Sequence, residues 1–279
     1  IAMRATLLII AGIASFLATT AGAQEPVGLL SFGLGVDEKR EAVAQVSLQT
    51  RRAFDRDVFA SIQLEASQSS RQAAASVMVP GLFGQSPAVG VDLGYQATEG
   101  RGVFAFDQTR AKAEVFAAFP ETRLGQIEAF YALRQARISN IAATGSALLR
   151  NDAGTRTSHA LGYRWGMGFG DATGARAQAR LTLMQELARG SDNRTILRSE
   201  VGFGARSAPI GPARLSFGMR AGTIAASGGA TRIEDRYFLS PSDLRGFALA
   251  GIGPRDLAAG NAALGGNMFT TARLDLKFP

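Results

Sequence analysis

The chain has 279 residues, of which 46% are hydrophobic and 19% charged. That average is too polar for a bundle of membrane helices, but it fits both a soluble protein and a transmembrane β-barrel. Cysteine is absent, which excludes disulfides and thiolate metal or redox sites. The formal charge of +7 comes mostly from arginines spread along the chain rather than gathered in one basic run. Scattered arginines are typical of loops and of the wet face of strands, so no nucleic-acid partner is predicted.

The N-terminal residues have the organisation of a secretory signal peptide. Met3-Arg4 supplies a positive start, residues 7–18 form an apolar core, and Ala21-Gly22-Ala23 has the small-residue pattern of a cleavage site. The alternative, an N-terminal anchor helix, would need a longer apolar run. We therefore expect residues 1–23 to be a signal peptide and residues 24–279 to form the mature domain.

From residue 28 onward, apolar and polar side chains alternate with a period of two. In the last segment, Ala272, Leu274 and Leu276 alternate with Arg273 and Asp275. This period predicts β-strands that have one apolar and one polar face. About twelve segments show it, each near the 9–11 residues that a tilted membrane strand requires.

The connections alternate in length along the chain. Short turns are predicted at 54–57, 120–123, 170–175 and 208–212. More open connections are predicted at 69–72, 97–109, 139–157, 188–194 and 226–266. Short periplasmic turns with longer external loops are the pattern of outer-membrane proteins.

A soluble β-sandwich would show the same alternation of side chains. The number of strands, the signal peptide and the lack of a second apolar face favour a membrane barrel instead. The predicted fold class is therefore all-β: a transmembrane antiparallel β-barrel in the cell outer membrane, with outer-membrane lipids against its apolar face. Side chains cannot fill a lumen of this width, so the interior must be hydrated or plugged.

Few residues suggest catalysis. His159 is the only histidine, so an outer-membrane hydrolase would have to use it, and we expect a histidine at the barrel rim instead. The carboxylates Asp92, Glu114 and Glu128 are predicted to face inward in isolation. The glycine-rich stretch 166–170 lacks a following helix that could bind phosphate, and its glycines are expected to relieve crowding at the inner wall or to allow bending. No enzyme activity, cofactor or metal site is predicted.

The stretch 226–266 is a long loop rich in glycine and proline, and loops of this length are usually functional or disordered. Four motifs follow one another in this loop, and a strand comes after them: Tyr237-Phe238-Leu239, Leu244-Arg245-Gly246-Phe247, Gly253-Pro254-Arg255-Asp256, Leu264-Gly265-Gly266-Asn267 and Ala272-Arg273-Leu274-Asp275-Leu276. Their order and spacing resemble the inward loop and following strand of the BamA-like superfamily of outer-membrane assembly and secretion barrels, the bacterial surface antigen family. Ser240 stands where that family usually has glycine.

The resemblance implies that the loop folds back into the lumen. By residue match, Arg245 is the loop anchor and Asp275 is its partner on the wall. A guanidinium in a partly dehydrated lumen requires such a carboxylate. Gly246 would let the backbone pass close to the wall, and Phe247 would pack beneath it. The alternative is an ordinary external loop with exposed charges.

The resemblance also implies a function without bond cleavage: insertion of outer-membrane proteins or export of polypeptides. Client polypeptides would be the partners, together with assembly-complex lipoproteins, and an exposed strand edge would template an incoming strand. The alternative is a passive pore or a structural barrel without client handling. Family barrels have sixteen strands and periplasmic POTRA domains. We therefore expect an incomplete sixteen-stranded barrel, or else twelve strands that close as a smaller one.

Overall fold

The computed structural model describes residues 28–36, 42–53, 56–82, 87–100, 106–142, 145–170, 177–240, 243–248 and 250–278. The predicted signal peptide lies outside these residues, as do most of the turn predicted at 170–175 and half of that at 54–57. Twelve strands form one antiparallel sheet, in which neighbours follow the order of the chain and the eleventh strand pairs with the fourteenth. The first eleven strands are β1 (Gly28–Val36), β2 (Ala42–Ala53), β3 (Arg56–Ala66), β4 (Ser70–Val79), β5 (Ala88–Thr98), β6 (Asp107–Ala118), β7 (Gln126–Ser139), β8 (Gly154–Gly170), β9 (Gln178–Gly190), β10 (Thr195–Arg206) and β11 (Arg214–Ser227).

Three further strands follow in the chain. Strands β12 (Arg255–Asp256) and β13 (Ala262–Ala263) form a small hairpin inside the long loop, and β14 (Met268–Lys277) completes the large sheet beside β11. In the described part of the chain, β1 pairs with β2 alone and β14 with β11 alone, so these strands do not close into a smaller barrel. The all-β prediction with about twelve strands is confirmed.

The strand register places the predicted apolar face on one side of the sheet. Directly paired residues in an antiparallel sheet face the same side, so the alternation of each strand continues across its neighbours. Large apolar side chains on the outer face are exposed, with Leu34 at 90% and Leu161 at 65%. A wide apolar surface of this kind requires lipid or another apolar partner. No helix among the described residues is long and apolar enough to cross a membrane.

Connections of different length lie at the two ends of the sheet. The loop between β11 and β14, the connection 140–153 with helix α1 (Ala147–Asn151), and the connection 99–106 lie at one end, here called the outer end. The connections predicted to be open at 69–72 and 188–194 are instead tight turns. Each is closed by a side chain: Ser67 accepts the backbone N–H of Ser70 at 3.1 Å, and Asp192 accepts that of Arg194 at 3.2 Å.

The buried core lies between the inner face of the sheet and the long loop. One cluster joins Ile138 of β7 and Leu149 of α1 to Ile233 of the loop. A second cluster contains Phe130, Ala160 and Ile196 of the wall, with Tyr237 of the loop packed against it. The loop therefore supplies apolar side chains that pack against the apolar part of the inner wall.

Glycines make room for inward aromatic rings on this wall. Phe130 is paired across the strands with Gly162, where an added Cβ would lie 2.6 Å from the ring. Gly90 stands in the same relation to Phe116, and Gly222 to Phe269. Of the two roles expected for the glycines of 166–170, relief of crowding does not apply to Gly168, because a Cβ there would meet no atom within 4 Å.

Candidate functional site

The loop between β11 and β14 lies against the inner face of the sheet. It begins with a 3-10 turn at Ile233–Asp235 and continues into the β12–β13 hairpin, with a second 3-10 turn at Leu257–Ala259. The predicted bounds of 226–266 therefore agree closely with the segment 228–267 that separates β11 from β14.

The first turn of the loop is held by charged residues of the wall, a contact that we call the outer clamp. Its wall residues are Arg110, Asp152, Arg156 and Arg198, and its loop residues are 232–235. Arg156 Nη1 lies 2.7 Å from Asp235 Oδ2 and 4.0 Å from Glu234 Oε1, and Arg156 Nε lies 3.3 Å from Asp192 Oδ1.

Backbone groups complete the outer clamp. The Ile233 N–H donates to Asp152 Oδ2 at 2.8 Å, and the Arg232 guanidinium donates to the Asp152 carbonyl oxygen. Arg198 donates to the Asp235 carbonyl oxygen at 2.8 Å, and Arg110 donates to that of Glu234 at 3.2 Å. The clamp thus joins the start of the loop to strands β6, β8 and β10 and to the connection after β7.

The central side chains of the outer clamp are buried from solvent. The side chains of Arg156 and Glu234 are each only 4% exposed, and Glu234 also lies 2.6 Å from Arg232 Nε. Burial raises the pKa of the Glu234 carboxyl, and a backbone hydrogen bond and the charge of Arg232 oppose this shift only in part. Truncation of one member would leave its partners charged and out of water, so each buried pair ties the loop firmly to the wall.

Tyr237 fixes the loop just beyond the clamp. Its ring packs edge-on against Phe269 of β14, with ring centroids 4.6 Å apart, and the Arg198 guanidinium lies 5.7 Å from its ring centroid. Burial and the neighbouring Glu200 raise the pKa of the Tyr237 hydroxyl, so the phenol stays neutral. Gly222 lies beside the hydroxyl end of this ring, since a Cβ there would be 2.8 Å from the tyrosine oxygen.

The motif residues further along fold the loop upon itself. Arg255 donates to the carbonyl oxygens of Asn261 at 2.9 Å and Ala250 at 2.5 Å, and Asp256 caps the second 3-10 turn through the Ala258 N–H. Pro254 accepts the Leu264 N–H at 2.9 Å. The hairpin is therefore stabilised from within, and among the described residues Arg255 and Asp256 form side-chain hydrogen bonds only to the loop itself.

The glycines and the asparagine of the motifs shape the ends of the hairpin. Gly253 has a φ of +123° and Gly265 a φ of +67°, which favours glycine at both places. Gly266 exchanges two backbone hydrogen bonds of 2.9 Å with Tyr237. Asn267 accepts the Thr231 hydroxyl at 2.7 Å, which ties the two ends of the loop together.

Arg245 and Asp275, the sequence-predicted anchor and wall partner, lie next to each other. Their closest atoms, Nη1 and Oδ1, are 3.3 Å apart, but the arginine side chain is 74% exposed. Asp275 also accepts a closer contact from Arg273 at 2.8 Å. The pair is brought together by the fold, while its exposure makes it a weak tie compared with the outer clamp.

The neighbours of Arg245 differ from expectation in one respect. Gly246 adopts a φ of +88°, a conformation that favours glycine, and Leu244 donates its N–H to Ser240 at 3.1 Å in a turn. Phe247 is 52% exposed rather than packed beneath the loop. An added Cβ at Gly246 would meet no atom within 4 Å, so the backbone beside Phe247 does not press against the wall.

Several functional contacts could not be predicted from the sequence. The Arg156–Asp235 pair joins residues 79 positions apart, and nothing local indicates it. The only signal was the dense charge of the segment 232–236, where four of five residues are charged. Likewise, the carboxylates Glu114 and Glu128 are not isolated, because Arg164 bonds to both of them.

Asp92 and His159, two further residues considered in the sequence, each form one hydrogen bond to a neighbouring strand. Asp92 accepts a hydrogen bond of 2.6 Å from the Ser76 hydroxyl across the strands. His159 is exposed on the outer face, where its Nδ1 lies 2.6 Å from the Tyr131 hydroxyl. Among the described residues, no group of three or more metal-binding side chains comes together.

Comparison with known proteins agrees with this architecture. Residues 56–279 match the sequence profile of a protein family described as the Omp85 superfamily domain. The crystal structure of BamA from Haemophilus ducreyi lacking POTRA domains 1–3 is similar, with a TM-score of 0.73 and 14% sequence identity. The match covers 92% of this chain and 54% of that chain, so this chain spans about half the length of the solved relative. No match was found among curated proteins.

Proposed function

The chain belongs to the Omp85 superfamily, and on that premise we propose that it is an outer-membrane barrel that inserts outer-membrane proteins or exports polypeptides. The observation that carries this proposal is the long loop docked against the polar inner wall. The loop covers the wall at the outer end of the sheet through the outer clamp and Tyr237. A wall with a resident plug suits a protein that controls the passage or attachment of other chains better than it suits an open pore.

The outer face supports the proposed location. Exposed apolar side chains run along it from Phe32 at 72% to Leu274 at 66%. Each such side chain contributes about 1.5–3 kcal/mol when it leaves water. Outer-membrane lipids are therefore the proposed partners of this face, and client polypeptides are the proposed partners of the inner wall and the sheet edge. Assembly-complex lipoproteins are further candidate partners by family membership alone.

The contact between Arg245 and Asp275 is proposed to adjust the loop rather than to hold it. An exposed ion pair contributes about 0–1 kcal/mol, whereas loss of one partner from a buried pair costs about 3–5 kcal/mol. Arg245 lies at the far side of the loop from the outer clamp, and its side chain is mostly free of protein contact. Movement of the loop tip could then occur while the clamp stays closed.

The test uses lipid vesicles that contain the purified chain. An unfolded reporter barrel is added, and its folding is followed by protection from protease. The proposal predicts faster folding than in empty vesicles, and an Arg245→Ala variant should slow this folding by at most about fivefold, as expected for an exposed pair. Arg71→Ala, on the outer face, is the matched control and should leave the rate unchanged.

The alternative is a passive pore, which is favoured by a cavity of about 400 Å³ on the inner wall. Glu128, Arg180 and Glu200 line this cavity, and charged side chains that line a pore select among the ions that pass. A pore predicts ion conductance across a planar bilayer, with a changed conductance in Arg245→Ala, and no effect of the chain on reporter folding. Equal folding rates in loaded and empty vesicles would refute client handling.

A further inference from the structure

Strands β9, β10, β11 and β14 carry an excess of cations on their inner face, at the end opposite the outer clamp. The cations are Arg180, Arg206, Arg214, Arg273 and Lys277, and we call this surface the basic trough. The strand register brings them into neighbouring rows. Arg206 lies in one row with Ser216 and Asp275, and Arg214 pairs directly with Lys277 in the next row.

The floor of the basic trough is open. One row of paired residues runs from Gly168 through Arg180, Gly204 and Gly218 to Arg273. A Cβ at any of these three glycines would meet no atom within 4 Å. With adjacent strands about 4.8 Å apart, this row is about 19 Å wide. The empty floor leaves room for another chain to approach the wall closely.

Within its own rows the basic trough holds little negative charge, although Arg180 also lines a cavity with Glu128 and Glu200 of rows nearer the outer end. Among the described residues of these rows, Asp275 is the single carboxylate, and it is already shared by Arg273 and Arg245. Within the described part of the chain, the side chains of Arg180, Arg206 and Arg214 form no ion pair or hydrogen bond. Like charges that are held together in this way attract an anionic ligand and focus its approach.

We propose that the basic trough binds acidic segments of extended polypeptides. The inference rests on the proposed function, which makes polypeptides the ligands of the inner wall. An extended chain places alternate side chains on one face, about 6.6–7 Å apart, which matches the spacing of the cation rows along each strand. Carboxylates at every second position can therefore pair with successive rows, and the backbone of such a peptide crosses the glycine row once.

An anionic lipid is the less suitable occupant. Lipid acyl chains require the apolar outer face, whereas the trough lies on the opposite face, among polar side chains. The Arg–carboxylate pair also has favourable bidentate geometry. Four cations of the trough are arginines, which suits a carboxylate ligand that reaches the wall at several points.

Peptide binding tests this inference without any need for assembly activity. The full chain, folded in detergent micelles, is titrated into a labelled peptide of alternating Glu and Thr, and fluorescence anisotropy reports binding. A peptide with Gln in place of Glu is the control ligand. We expect the acidic peptide to bind at least about tenfold more tightly at low salt, and this advantage to shrink as salt increases. Equal binding of the two peptides would overturn the proposal.

A pair of double variants locates the site. Arg180→Gln with Arg206→Gln should weaken binding of the acidic peptide by about tenfold, whereas Arg71→Gln with Arg137→Gln makes the same charge change on the outer face and should have no effect. Equal losses in both variants would show a general charge effect and overturn the proposal. The proposal is also overturned if the inner variant changes only partition into phosphatidylglycerol vesicles. If reporter folding fails while peptide binding holds, the proposed function falls and the basic trough stands as a peptide site.

Discussion

Replacement of Arg156 by methionine should release the start of the loop from the wall. The methionine keeps an apolar stem but removes the guanidinium that contacts Asp235, Glu234 and Asp192. Because the arginine side chain is only 4% exposed, its loss leaves buried carboxylates without their partner. We expect a cost of about 3–5 kcal/mol to the docked state. The undocked population should then rise by about a hundredfold or more, at a factor of ten for each ~1.4 kcal/mol.

Hydrogen exchange at the Ile233 amide measures this release directly. That N–H donates to Asp152 across the interface between loop and wall, so it exchanges when the clamp opens. The comparison variant is Arg245→Ala, which removes an exposed contact and should accelerate exchange by no more than about fivefold. If exchange in Arg156→Met rises no more than in Arg245→Ala, the outer clamp is not what holds the loop.

Three further predictions concern the wall and the clamp. Gly162→Ala should destabilise the fold by about 1–3 kcal/mol in urea, because its Cβ would meet the Phe130 ring, whereas Gly168→Ala should change little. Since burial raises the pKa of Glu234, loop stability should fall as pH rises through that pKa; protection of the loop against exchange should therefore vary less with pH in Glu234→Gln. Glu114→Ala should cost about 3 kcal/mol, because its fully buried carboxylate neutralises two cations of the wall.

Each of these predictions has a clear contrary outcome. Equal urea midpoints for the two glycine variants would show that the wall does not pack its aromatic rings against glycine. A pH dependence in Glu234→Gln identical to that of the parent chain would assign the titration to another group. Wild-type stability in Glu114→Ala would mean that the inner charges are solvated well enough to do without their partner.

Local alternation was sufficient to predict the strands. A period of two fixes which side chains share a face, so the segment around Leu215 and Ala221 could be assigned to one strand, which the structure bounds at Arg214–Ser227. Turn lengths were harder to predict. The connections after β3 and β9 are polar and were expected to be open, yet backbone hydrogen bonds and a serine or aspartate side chain close each of them.

Cross-strand register explains why part of the site was not foreseen. Arg245 and Asp275 were named from a family motif, and the structure places their side chains next to each other. The outer clamp depends on Arg156 and Asp152, which lie about 80 residues before the loop and belong to no motif. Only the folded sheet brings these residues to the segment of dense charge at 232–236. In the same way, Gly162 acquires its role from its partner Phe130 and not from its own neighbours in sequence.

A photo-reactive phenylalanine analogue at position 237 gives the most direct test of the central claim, which is that the loop lies against the inner wall. Tyr237 contacts Phe269, Arg198 and the backbone at Gly222, three points on three strands of the sheet. After illumination of the chain in lipid vesicles, mass spectrometry locates the cross-links. We expect them in β10, β11 and β14. Cross-links to lipid, or to none of these strands, would contradict the claim that the loop is docked inside.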